Sequence, residues 1–142
     1  MSIDQLYQSK ILDHNRAPHN HFEMADATHS AHGMDALCGD DMRVWLKVRD
    51  DVVEQASWSG EACAITTASA SMLTDWIVGK TRSNVQQGLK QLVELLENPE
   101  AESKCELGPF NALKPVGQFP SRKRNALLPW ESALEALSAN DS

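Results

Sequence analysis

Between Asp41 and Arg49 the apolar residues Met42, Val44, Leu46 and Val48 alternate with Arg43, Trp45, Lys47 and Arg49. That period of two predicts a strand with one buried and one mostly polar face. Asp50-Asp51 is a tight polar break, and Val52-Val53-Glu54-Gln55-Ala56-Ser57-Trp58 resumes an extended pattern, so the pair reads as an antiparallel hairpin. Before it, Thr28 to Asp35 is weakly extended and fits an edge strand. After Cys63 the period changes: Ile65, Ala68, Ser69, Met72, Leu73 and Trp76 fall on one helical face, with Gly79 at the expected stop. Small residues at Ala64, Ala68, Ser69, Ala70 and Ser71 let this helix lie close on the sheet.

The flanks are helical by the same logic. Ser2 and Gln5 form a capping-box pattern before Ile3, Leu6, Tyr7 and Ile11, predicting a first helix to about His14, followed by a loop from Asp13 to His21. Ser83 with Gln86 repeats the pattern before Val85, Leu89, Leu92, Val93 and Leu96, and Asn98-Pro99 ends that helix. Residues 98 to 121 read as an irregular connection held to the core by Leu107, Phe110, Leu113, Val116 and Phe119. Ser121 to Leu128 fits a short helix, and Pro129 fits the first position of a last one that buries Trp130, Ala133, Leu134 and Leu137.

Length and charge narrow the function classes. The chain of 142 residues, 42% of them apolar, suits one domain over residues 1–142. A formal charge of −7 repels phosphate backbones and disfavours nucleic-acid binding. Short apolar runs and the lack of a basic, then apolar, opening predict no membrane association and a cytoplasmic protein. Three cysteines are then expected to be reduced thiols, available for chemistry or metal.

The hairpin brings its outer ends together, and those ends carry Cys38-Gly39-Asp40 and Gly60-Glu61-Ala62-Cys63, thiols that are 25 positions apart. Two soft sulfurs with one carboxylate suit zinc or iron. Cys63 falls at the start of a helix, where the dipole and free amides favour a negative sulfur. Structural burial of both thiols is the competing reading, but Asp40, Asp41 and Glu61 would be costly neighbours to bury without a partner. The five histidines in the first quarter, His14, His19, His21, His29 and His32, lack the i, i+4 helical spacing of a zinc motif.

Leu37-Cys38-Gly39-Asp40, the run Ser59-Gly60-Glu61-Ala62-Cys63-Ala64-Ile65 with Ala68-Ser69-Ala70-Ser71-Met72, and the opening Leu6-Tyr7 helix ending Asp13-His14 resemble the NifU/IscU-type iron–sulfur cluster assembly proteins. Leu107-Gly108 and Phe119-Pro120-Ser121-Arg122 resemble the SufU branch in particular, and the Leu-Pro-Pro-Val-Lys chaperone motif of the IscU branch is missing. The resemblance implies an α+β fold, a three-stranded antiparallel sheet with helices packed on one side. It implies that Cys38, Asp40 and Cys63 hold zinc, iron or a nascent iron–sulfur cluster, and that Cys63, at its helix start, ahead of Cys38, accepts sulfur from the persulfide of a cysteine desulfurase. Arg122 matches a basic residue near the site, a docking or electrostatic contact for that partner. Other assembly factors and apo-protein acceptors would follow as partners.

One position departs from the pattern: Asn125 stands where the family carries a third cysteine. Three explanations compete: water or a partner side chain completes the site, Cys105 on the long connection swings in, or another role has replaced full scaffold activity. With two aligned thiols, a homodimer bridging one cluster would be a way to reach four sulfur ligands. The functions these residues allow are a scaffold or sulfur acceptor, a zinc-dependent sulfurtransferase that activates the desulfurase, and a non-catalytic assembly-factor binding protein.

Overall fold

A computed structural model describes residues 9–139. The elements, in chain order, are α1 (Ser9–Arg16), β1 (His29–Asp35), β2 (Asp40–Arg49), β3 (Val52–Glu61), α2 (Ala64–Trp76), α3 (Arg82–Glu97), a run of 3₁₀ turns (Cys105–Gln118) and α4 (Pro120–Ala139). The expected Ser2–Gln5 cap with Ile3, Leu6 and Tyr7 lies outside the described residues. The three strands form one antiparallel sheet in the order β1-β2-β3, and α2 and α4 pack on it, the α+β arrangement expected from the sequence. No described helix is long and apolar enough to cross a membrane.

The alternation in β2 is realised directly: Met42, Val44 and Leu46 are buried, while Arg43, Trp45 and Lys47 are only partly covered. Asp50 and Asp51, at φ 52 and 65, form the two-residue connection to β3, a left-handed pair whose twist matches the strands. Pairing slips once, between Lys47 and Val48, where Glu54 is the extra residue of a bulge. The other edge of β3 is covered by the segment after α1: the Trp58 amide donates to the Asn20 carbonyl at 2.9 Å, and the His21 ring stacks on Trp58. That pairing shields an otherwise open strand edge.

Four expectations shift. The first helix continues through Asn15 to Arg16. The α3 cap is Thr81 rather than Ser83: Thr81 Oγ1 accepts from the Asn84 amide at 3.2 Å and Asn84 Oδ1 accepts from the Thr81 amide at 2.9 Å. Phe119 is 37% exposed, whereas Leu107, Phe110, Leu113 and Val116 are buried as expected. Pro129 sits inside one continuous α4 and does not start a separate helix. It denies the Asn125 carbonyl its usual helical donor, and one residue on, the Ser69 hydroxyl from α2 donates to the Ala126 carbonyl at 2.7 Å.

Candidate functional site

The open end of the hairpin gathers the chemistry. Asp35 pairs with Asp40 and Asp41 with Glu61, so the β1–β2 turn carrying Cys38, the first residue of β2 and the start of α2 lie together. The Leu37 amide donates to Asp35 Oδ1 at 3.1 Å and the Cys38 amide to the Asp35 carbonyl at 3.2 Å, which folds the turn back on Asp35. Gly39 closes it at φ 74, a conformation that a side chain would strain. The turn stands out from the surface, with Leu37 88% exposed and Cys38 half-buried.

Asp40 is the opposite case, 1% exposed at the sheet end. Its Oδ1 accepts the Cys63 backbone N–H at 2.8 Å, and its Oδ2 accepts the Thr66 hydroxyl at 2.6 Å and the Asn125 side-chain amide at 2.9 Å. A carboxylate thereby stabilises the positive end of α2, whose N-cap, Cys63, makes no side-chain cap of its own. Thr66 has one proton and gives it to Asp40, so the Cys63 Sγ, 3.3 Å from Thr66 Oγ1 and 3.9 Å from Asp40 Oδ2, completes the group as an S–H donor.

Cys38 has a cationic neighbour instead. Arg124 donates from Nε to Asp35 Oδ2 at 2.9 Å and sets an Nη 3.9 Å from the Cys38 Sγ. The hydrogen bond from Arg124 holds the Asp35 carboxyl below its ordinary range, and Asp35, with a smaller contribution from Cys38, raises the guanidinium above its own. The resemblance points to Arg122 as a docking or electrostatic contact near the site; within the fold the contacts to Asp35 and Cys38 come from Arg124, two residues on, because β1 and the Cys38 turn face that side of α4. Arg122 is half-buried one turn before Asn125. Of the basic run, Lys123 is also paired internally, its Nζ 2.6 Å from Glu97 Oε1.

Cys105 lies far from these groups. The Glu106 carbonyl beside it accepts the Trp76 indole N–H at 2.8 Å, and Trp76 ends the 13-residue α2 that Cys63 begins, about 20 Å of helix away. In this structure Cys105 is not among the groups that meet at the end of the sheet. Four of the histidine rings have polar partners within the fold: His14 with Ser71, His19 with Asp75, His29 with Thr28 and His32 with Asp41. His21 stacks on Trp58 and lies 3.2 Å from the Gly60 carbonyl. Trp58 and Trp130 are core residues.

Cys38, Asp40 and Cys63 thus meet at one end of the sheet, but not as a ligand set. Among the described residues no group of three or more His, Cys, Asp or Glu side chains is disposed to hold a metal ion. Both Asp40 oxygens are engaged by donors, the Asn125 NH₂ is turned toward the carboxylate, and Cys38 faces a guanidinium. Two thiols, a carboxylate already bonded to three N–H and O–H donors and a neutral amide do not make the closed set of a structural zinc ion, which takes four closely placed N, S or O ligands.

Residues 6–126 match the NifU-like N terminal domain. The chain is 31% identical over 140 residues to the iron-sulfur cluster assembly scaffold protein IscU of Streptococcus pyogenes serotype M1, covering 97% of this chain and 87% of the relative. It is 34% identical over 131 residues to the zinc-dependent sulfurtransferase SufU of Bacillus subtilis strain 168, covering 92% and 88%. A solved putative iron-sulfur cluster assembly scaffold protein for the SUF system from Fervidobacterium islandicum AW-1 superposes with a TM-score of 0.85 at 25% identity, over 93% of this chain and 96% of that one. The N-terminal part of a nitrogen-fixing NifU-like protein from Brucella abortus gives 0.87 at 22% identity, over 97% and 98%, a likeness of fold.

Proposed function

The chain belongs to the NifU-like N-terminal domain family, and from that premise we propose that it serves iron–sulfur cluster assembly by accepting sulfane sulfur from a cysteine desulfurase. The observation that carries this reading is the Cys38 thiol on a protruding turn with the Arg124 guanidinium 3.9 Å away. A cation at that distance stabilises negative sulfur, before and after transfer. The Cys38 thiolate attacks the terminal sulfur of the desulfurase persulfide; the new S–S bond forms on Cys38, the old one breaks, and the desulfurase cysteine leaves as thiolate. No electrons are gained or lost overall. Exposed Met34 and Leu37 flank the thiol and give a protein partner apolar surface to cover.

Cys63 stands behind Cys38 as a second thiol, held as a donor to Thr66 and Asp40. Its proton is available to the sulfur chemistry, and its release frees a second sulfur for iron or a nascent cluster, which is cargo in this reading. The sulfurtransferase activity named for the Bacillus relative would involve the same transfer; the zinc in that name finds no matching donor set here.

Turnover of a cysteine desulfurase, followed as alanine formed from cysteine, tests the proposal. The wild-type chain should accelerate turnover by drawing off persulfide sulfur, and Cys38→Ser should abolish the acceleration while the chain stays folded by circular dichroism. Equal acceleration by wild type and Cys38→Ser would sink the proposal.

A further inference from the structure

We infer that Asn125 is a positioning residue that makes this a metal-independent sulfur site: its amide holds Asp40 and the start of α2 in place without a metal ion. This rests on the sulfur-acceptor reading and adds what organises the site.

The argument starts from Asn125, 0% exposed on α4. A carboxylate only accepts, so the amide must present its NH₂ to Asp40, 2.9 Å away, and this orientation leaves Asn125 Oδ1 as a buried acceptor with no donor. An orphaned buried carbonyl is costly, and the chain keeps it to engage Asp40. The result ties three elements together: β2 through Asp40, α2 through Cys63 and Thr66, and α4 through Asn125.

A metal ion at this place would have to break into that network. It would compete with the three donors on Asp40, disturb the contacts of the Cys63 Sγ with Thr66 and Asp40, and draw Cys38 off Arg124. In return it would find two sulfurs, one carboxylate and an amide oxygen, a neutral hard donor that divalent zinc favours far less than thiolate. The permanent cation at the site is instead Arg124, fixed by Asp35. A guanidinium balances charge on the Cys38 sulfur but cannot bridge it to Cys63, so the site favours carriage of sulfane sulfur over retention of zinc.

The test uses the full chain, purified reduced, with Zn²⁺ as the probe. Zinc affinity is measured by competition with a chromophoric chelator, and melting temperature is followed with and without EDTA, for wild type and Asn125→Cys. Wild type should give up zinc to the chelator and melt at the same temperature with EDTA present. Asn125→Cys should bind one zinc per chain at least about 100-fold more tightly and melt higher when zinc is added. A smaller difference in affinity, or a wild-type melting temperature that falls in EDTA, would overturn the inference; the EDTA result stands even if the variant fails to fold. Desulfurase-dependent sulfur uptake by the same zinc-free wild type separates the two claims. Tight zinc with sulfur uptake defeats only metal independence, whereas zinc-free protein that takes up no sulfur defeats the acceptor reading and leaves the Asn125 network standing.

Discussion

Replacing Asn125 with Asp changes one atom group and reverses its meaning. The Nδ2 that donates to the buried Asp40 carboxylate becomes an oxygen, so a hydrogen bond to a charged group worth about 1.5–3 kcal/mol is lost. If both carboxyls stayed ionised, charges at the present 2.9 Å separation would repel by about 6 kcal/mol at an effective dielectric constant near 20. Taking up one proton between the pair at neutral pH costs about 4 kcal/mol, so the chain escapes by that route and the cost is capped there. The folded variant then holds one proton that the unfolded chain, with ordinary carboxyls, has released. By linkage its stability falls as pH rises from about 5 to 7, by up to about 1.4 kcal/mol per pH unit. Urea unfolding followed by the fluorescence of the buried Trp58 and Trp130 measures this. The expected result is a deficit of about 4 kcal/mol at pH 7 that shrinks to about 1 kcal/mol near pH 5, where the shared proton restores a hydrogen bond. A deficit below about 1 kcal/mol that does not vary with pH would refute the placement of Asn125 against Asp40.

Other outcomes follow from the same coordinates. Asp51→Gly should raise unfolding stability by about 1 kcal/mol in urea, because φ 65 is strained for any side chain and free for glycine. Burial first, and then the neighbouring His19, hold His14 below the ordinary histidine range. The unfolded chain takes up a proton as pH falls through about 6.5 while the folded one resists it, so stability should drop from pH 7.5 to 5.5. His14→Gln should flatten that slope in matched urea titrations. Arg124→Gln should slow sulfur transfer to the chain about tenfold, read from single-turnover kinetics with persulfidated desulfurase, while unfolding stability changes little.

Much of this fold was legible because its signals are local. The period of two in β2, the polar Asp50-Asp51 break and the change to a helical period after Cys63 were enough to place Cys38, Asp40 and Cys63 at one end of the sheet. What was illegible depends on contacts between elements. Pro129 reads as a helix start, and nothing local to it reveals that α4 runs on through it with the Ser69 hydroxyl on the neighbouring Ala126 carbonyl. Ser83 and Gln86 fit a cap as well as Thr81 and Asn84 do; β3 decides, since the Val53 amide bonds the Lys80 carbonyl and fixes the chain just before Thr81. At the site, residue type pointed to a metal set, but the three donors on Asp40 and the facing of Arg124 toward Cys38 are tertiary facts. The choice of Arg124 over Arg122 turns on which side of a helix meets β1, and residues adjacent in sequence do not disclose it.

The account's central claim is that sulfur is received on Cys38. The most direct measurement is peptide mapping by mass spectrometry after the reduced chain is incubated with a cysteine desulfurase and cysteine, with persulfides trapped by alkylation. One extra sulfur on the peptide carrying Cys38, and none on the exposed Cys105, is the predicted result. Extra sulfur first and mainly on Cys63, or spread evenly over all three thiols, would contradict it.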